Sequence, residues 1–333
     1  MSDAPLLEVR NLHVEFRTGR EVIRAVNGAN FNVNRGEVVA VLGESGSGKS
    51  VTAATIMRLL AIPPARITGG SILFEGRDCL KMSSREWRDI LGSELALVLQ
   101  DALTALNPVF PVGWQIAEVF RVHGEKDRNA AWERAVDLLT RVGIPDPHAR
   151  GKEYPHQFSG GMRQRVMIAI AVALHPSLLI ADEPTTALDV TVQAQIMELM
   201  TSISKEEGMS ILLITHDLGV AVDYADRVCV MYAGRVVEGG HVEEVLRRPA
   251  HPYTLALMHA APQAQSKEQK LRPIVGSPPD MAHPPPGCPF HPRCSFATDI
   301  CRREYPAAKE VAPGRFAECH HAELVYDNAA VLA

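Results

Sequence analysis

Gly43-Glu44-Ser45-Gly46-Ser47-Gly48-Lys49-Ser50 stands between an apolar run, Val38 to Leu42, and a helix-compatible run, Val51 to Leu60. This is the phosphate-binding loop pattern in the strand-loop-helix setting it requires. Glycines let the backbone wrap closely enough for its N–H groups to point at phosphate oxygens, and the helix start adds a positive dipole end. Lys49 is placed to neutralise β and γ phosphates, and Ser50 to hold Mg²⁺. An ordinary glycine turn is the bland alternative; the full pattern with both flanks disfavours it.

Outward from the loop, short apolar runs bounded by turn residues alternate with longer periodic segments. Val38 to Leu42, Ala96 to Leu99, Leu178 to Ala181, Ile211 to Ile214 and Arg227 to Tyr232 are the expected buried strands. That alternation is the pattern of an α/β domain with a largely parallel sheet. Several strand ends carry chemistry. Asp182 and Glu183 follow Leu178 to Ala181, where Asp182 suits a Mg²⁺ partner and Glu183 a base that orients and deprotonates attacking water. Adjacent carboxylates at a strand end are more often a solvated turn, and the coincidence with the phosphate loop reverses that balance. Ser159-Gly160-Gly161 precedes the breaker-free run Met162 to Leu174, giving a second glycine-rich helix start suited to an anion. Gln100 and His216 also follow strands, the usual place for ligand-binding groups in open parallel sheets.

The chain of 333 residues is 46% hydrophobic and 22% charged, which excludes wholesale disorder and leaves room for about two domains. Its longest apolar run, Val166 to Leu174, is half of what a membrane-spanning helix needs, so no self-made bilayer crossing is expected. Asp3, Glu8, Arg10 and Glu15 interrupt the first twenty residues, which do not read as a secretory signal. With 34 basic and 39 acidic side chains the net charge is −5, so no global positive field recruits nucleic acid. Composition shifts near residue 249: ten of the 23 prolines lie between Pro273 and Pro313, and Ala264 to Lys270 is polar without apolar spacing. Residues 1–248 are expected to form one domain and 249–333 a small irregular extension.

The ordered set Phe16, Gly43 to Ser50, Gln100, Ser159-Gly160-Gly161-Met162, Leu178 to Glu183, Ala187-Leu188-Asp189 and His216 resembles the nucleotide-binding domain of ATP-binding cassette (ABC) transporters. The resemblance spans roughly residues 6 to 245. It implies a RecA-like core with an antiparallel β subdomain and a helical subdomain, and ATP with Mg²⁺ as ligands. It further implies that Phe16 stacks on adenine, that Gln100 senses Mg²⁺ and the γ phosphate, and that His216 contacts the γ phosphate. Ser159, Gly160, Gly161 and Met162 would act on ATP bound to the opposite subunit, and Asp189 would cross the dimer interface. Each motif occurs once, so the chain is expected to supply half of a two-site ATPase.

Tyr154-Pro155-His156-Gln157, the run Ala181 to Thr191 and His251-Pro252-Tyr253-Thr254 are similar to the ATPase subunits of bacterial dipeptide and oligopeptide importers. The resemblance implies a heterodimer with a second homologous ATPase, two transmembrane permease subunits, an external binding protein, and a peripheral position on the cytoplasmic side of the inner membrane. Related importers carry nickel, glutathione or other small solutes. An exporter ATPase and a soluble cassette ATPase acting on nucleic acid are the rival classes; the single cassette and the negative charge disfavour the latter. Two departures stand out. Phe158 replaces the commoner Leu, and Asp101-Ala102 replaces Asp-Pro in the loop expected to receive the permease.

Cys288, Cys294, Cys301 and Cys319 fall within 32 residues, whereas Cys79 and Cys229 stand alone. Intervals of five, six and seventeen residues fit neither zinc ribbons nor common ferredoxins, so spacing alone does not name a metal. The resemblance implies a four-iron four-sulfur cluster on these four cysteines; zinc assisted by His291, His320 or His321, and unliganded thiols, are the alternatives.

Overall fold

The computed structural model describes residues 4–19, 21–186, 188–260 and 273–332. Ala187 of the Ala187-Leu188-Asp189 motif and the polar stretch 264–270 lie outside the described residues. Twelve strands are described, in chain order. The first five are β1 (Leu7–Thr18), β2 (Glu21–Val33), β3 (Val38–Leu42), β4 (Ala65–Phe74) and β5 (Arg77–Asp78). They are followed by β6 (Leu95–Val98), β7 (Leu178–Asp182), β8 (Ser210–Thr215), β9 (Arg227–Tyr232), β10 (Arg235–His241), β11 (Lys309–Ala312) and β12 (Arg315–Ala317). All five expected strands are present. β6 starts and ends one residue earlier than expected, because its parallel ladder with β7 ends at the pair Val98 and Ala181 and leaves Leu99 exposed.

The chain divides into two compact units, Met1–Lys81 with Ile214–Ala333, and Met82–Leu213, so that the division falls inside β8. In the first unit an antiparallel sheet has the order β2-β1-β4-β5. Phe16 sits there in β1, opposite Ile23 of β2 and Ala65 of β4. A second sheet of the same unit carries the order β11-β12-β10-β9-β3. β3 runs parallel to β9, and β9 antiparallel to β10. Val38 to Leu42 are all buried, as an uninterrupted apolar run in a central parallel strand should be. In the second unit β6 and β7 are parallel, and helices at Val112–Val122 and Arg128–Arg141 pack on each other, with Ile116, Phe120, Ala135 and Leu139 buried.

The helix after the phosphate loop runs Lys49–Ile56, shorter than the expected run to Leu60. Arg58 takes a left-handed backbone (φ 53°), which ends the helix one residue past its C-cap Met57. The helix after the second glycine pair runs Gly160–Val172 and so includes both glycines, with Ser159 as its N-cap. Among the described residues no helix is long and apolar enough to cross a membrane.

The C-terminal extension is built into the first unit. β12 pairs antiparallel with β10, matching Ala317 to Glu238 and Phe316 to Gly239. Ala250, Ala317, Cys319 and Ala322 form a small buried core, with Val311 and Tyr326 packed against it. Arg235 of β10 donates to the Glu318 carboxylate at 3.1 Å and lies 3.9 Å over the Tyr305 ring. Residues 273–298 hold little regular structure beyond the turn His291–Arg293, in keeping with the eight prolines among them.

Candidate functional site

The phosphate loop is shaped by two glycines that nothing else could replace. A Cβ on Gly48 (φ 105°) would lie 2.5 Å from the Ala25 carbonyl oxygen, and one on Gly43 would lie 2.2 Å from that of Met231. The backbone therefore passes too close to its neighbours to leave room for a side chain at either position. Lys49 is buried at the helix start and donates from Nζ to the carbonyl oxygens of Gly43 and Glu44 at 2.7 and 3.0 Å. Its ammonium is thereby fixed over the loop. Ser50 follows it on the first helical turn.

In the second unit the structure brings together two residues that sequence spacing left 83 positions apart. Gln100 donates from Nε2 to Glu183 Oε2 at 3.1 Å, and the Thr186 hydroxyl donates to the same oxygen at 3.0 Å. Asp182 ends β7, and Glu183 takes a left-handed backbone (φ 46°) directly after it. That conformation is costly for a residue with a Cβ. Two neutral donors on one oxygen hold the carboxylate's orientation.

Ser159 accepts the Met162 N–H at 3.3 Å and so caps the helix Gly160–Val172. A Cβ on Gly161 would fall 2.7 Å from Val192, so glycine permits close approach of the helix that begins at Val190. Asp189 caps that helix by accepting the Val192 N–H at 3.0 Å. His216 is exposed immediately after β8, and Asp217 caps the next helix, Leu218–Tyr224, through Gly219 at 2.8 Å. Phe16 is half-buried on β1.

In the extension, Cys288, Cys294, Cys301 and Cys319 line one small cavity together with His251, His291, His320 and His321. Backbone bonds draw the loops in: the Cys288 N–H reaches the Cys301 carbonyl at 2.8 Å, and the His321 N–H reaches Cys319 Sγ at 3.3 Å. Burial pushes the Cys288 thiol up to about 11 and Cys319 up to about 12, and the neighbouring cysteines push the same way. Thiols crowded like this are stabilised as thiolates only by an added positive charge. Among the described residues no group of three or more His, Cys, Asp or Glu is placed to hold a metal ion, so the geometry supports neither the iron–sulfur nor the zinc expectation. The four thiols share one cavity, with Cys301 on the short helix Asp299–Arg303, and thiolate sulfur is the donor chemistry that iron–sulfur groups use. Cys79 and Cys229 are buried elsewhere, and burial lifts them to about 11 and about 12, as expected for inert thiols.

Residues 26–186 match the family model of the ABC transporter, and residues 237–301 match that of the oligopeptide/dipeptide transporter C-terminal region. The dipeptide transport ATP-binding protein DppD of Escherichia coli (strain K12) is 47% identical over 316 residues, 95% of this chain and 96% of that protein. The chain belongs to the ABC transporter family, among its peptide-importer ATP-binding subunits. The oligopeptide transport ATP-binding protein OppD of Bacillus subtilis (strain 168) is 49% identical over 92% of the cassette chain and 86% of its own length. Among solved structures, a post-hydrolysis dimer of an ATP-binding cassette bound to ADP and phosphate matches with a TM-score of 0.63. It is 27% identical and covers 71% of this chain and 98% of its own. The P-loop cassette fold expected from the sequence is thereby shown.

Three contacts of the cassette chain's extension escaped the sequence reading, which met Tyr253 only within the His251 to Thr254 resemblance. Arg293 binds the Glu44 carboxylate of the phosphate loop, Tyr253 accepts the Glu44 N–H, and Arg315 pairs with buried Glu238. A lone arginine between two cysteines was the visible signal for Arg293; nothing local tied it to a residue 249 positions away.

Proposed function

We propose that this chain is the ATP-hydrolysing subunit that powers import of dipeptides or oligopeptides through an inner-membrane permease. The observation that carries this reading is the joint match of cassette and peptide-transporter C-terminal region, with near-full-length identity to a dipeptide transport ATP-binding protein. Residues 1–248 are the cassette and 249–333 the extension specific to this importer type. The chain sits peripherally on the cytoplasmic face, pairs with a second homologous ATPase, and receives peptides indirectly, from an external binding protein through two permease subunits.

In this mechanism the N–H groups of Gly43 to Gly48 and the Lys49 ammonium hold the phosphates, and Phe16 packs on adenine. Ser50, Asp182 and Gln100 are each assigned to Mg²⁺, which neutralises charge on the transferred phosphoryl group. Glu183 takes the proton of the attacking water, and His216 contacts the γ phosphate. The helix start at Ser159, Gly160, Gly161 and Met162 acts on the partner subunit's ATP, and Asp189 reaches across the pair. Reconstituted with binding protein, permeases and second ATPase, the complex should accumulate labelled dipeptide only with hydrolysable ATP. Accumulation of nickel or glutathione in place of any peptide would replace this substrate assignment.

Cys288, Cys294, Cys301 and Cys319 are assigned to a four-iron four-sulfur cluster that orders the proline-rich part of the extension, as structural metals order short segments that bury little of their own. Supporting this are the shared cavity and the all-cysteine donor set. Anaerobically purified chain should contain about four irons and acid-labile sulfide. Colourless, iron-free protein with a folded extension would sink the assignment.

A further inference from the structure

Glu44 occupies the variable second position of the phosphate loop, and its polar groups are tied in three directions. Its carboxylate accepts from Arg293 Nη1 at 2.7 Å and Nη2 at 3.0 Å, a two-pronged pair. Its N–H donates to Tyr253 Oη at 2.8 Å, and its carbonyl accepts from Lys49 Nζ at 3.0 Å. One loop residue thus joins the extension to the lysine that seeks phosphate. Arg293 lies on the turn between Cys288 and Cys294, and its side chain is 4% exposed. Its Nε donates to the Val275 carbonyl at 3.1 Å, so the guanidinium plane is fixed before it meets Glu44. Rings of Tyr232, Tyr253 and Phe290, with centroids 4.5 to 5.5 Å apart, pack the same region. A second strand of tail contact is independent: Met281 accepts the Arg24 N–H at 3.1 Å, and Pro278 and Pro279 line a pocket with Ser45 and Gly46.

The charge at Glu44 gives this arrangement a function. An uncompensated carboxylate in a phosphate loop repels the polyanion the loop must take; a bidentate arginine cancels that charge and fixes the loop's first turn. We propose that Arg293 is a positioning residue for the phosphate loop, and that the extension sets ATP affinity by clamping Glu44 from its carboxylate and, through Tyr253, from its N–H. This deepens the ATPase reading and rests on it.

The test is a titration of the full chain with a fluorescent ATP analogue and Mg²⁺, alongside thermal melting to follow folding. Arg293→Ala should weaken binding about tenfold. Adding Glu44→Gln to that variant should recover most of the loss, because the repelling charge is gone. In the assembled complex Arg293→Ala should raise KM for ATP while kcat at saturation stays near wild type. A merely structural role would give no recovery by Glu44→Gln. Should Arg293→Ala not fold, Tyr253→Phe, which keeps the ring, carries the test with about threefold weaker binding. Wild-type affinity in Arg293→Ala, failure of Glu44→Gln to restore it, or wild-type affinity in Tyr253→Phe where that variant stands in, overturns the clamp. Absence of ATP binding by the wild-type chain would instead sink the ATPase reading itself.

Discussion

Glu183→Gln should bind ATP as the wild-type chain does and lose turnover by roughly 10²–10⁴-fold in the assembled complex. At room temperature that corresponds to about 2.7 to 5.4 kcal/mol of barrier. The amide has the size of the carboxylate, and its oxygen still accepts from Gln100 Nε2 and the Thr186 hydroxyl, the partners that hold Oε2 at 3.1 and 3.0 Å. Only basicity is removed. Phosphate binding is assigned to Gly43 to Ser50, none of which contacts Glu183 through these bonds, so nucleotide affinity should persist and pairs of cassettes should accumulate with ATP trapped. Single-turnover hydrolysis compared with ATP retention on a filter separates the two steps. Turnover within threefold of wild type would remove Glu183 from the role of base.

What sequence reasoning reached and what it missed follow from how far each interaction reaches along the chain. The phosphate loop, its strand and its helix are contiguous, so periodicity and glycine spacing were enough to place them. The end of that helix was misplaced because Arg58 adopts a left-handed turn that no composition signal marks. Gln100 and Glu183 were picked out separately, each at a strand end, but their hydrogen bond is a product of parallel pairing between β6 and β7. The extension is the harder case. Its cysteine intervals match no local metal pattern, since the cavity is closed by segments brought in from residues 288 to 321 and by His251 at the start of the extension. Glu238 is equally silent. In the run Val236-Val237-Glu238 it reads as a solvent-facing position of a strand, yet pairing of β10 with β12 covers it completely.

That covering makes Arg315→Ala the substitution with the largest expected effect on stability. Glu238 is 0% and Arg315 2% exposed at the side chain, and Arg315 Nη2 lies 2.9 Å from Glu238 Oε1. The Ala250 and His251 N–H groups donate to the two carboxylate oxygens at 2.8 and 3.0 Å, and Arg315 also donates to the Arg248 carbonyl. Burial pushes the Glu238 carboxyl up, against the pull of these donors and of the guanidinium. Removing the cation leaves that desolvated acid without its counter-charge, which costs about 3–5 kcal/mol. Adding Glu238→Gln should then recover part of the loss, because a neutral amide is far cheaper to bury and its oxygen still accepts a backbone N–H. The choice of probe matters. Trp87, Trp114 and Trp132 all lie in the unit Met82–Leu213, so tryptophan fluorescence reports on the other half of the chain. Hydrogen exchange at β10 during urea denaturation follows the affected strand directly. If Glu238→Gln destabilises Arg315→Ala further, the loss arises from the arginine's own packing rather than from an orphaned charge, and the buried pair is not what fastens the extension to the cassette.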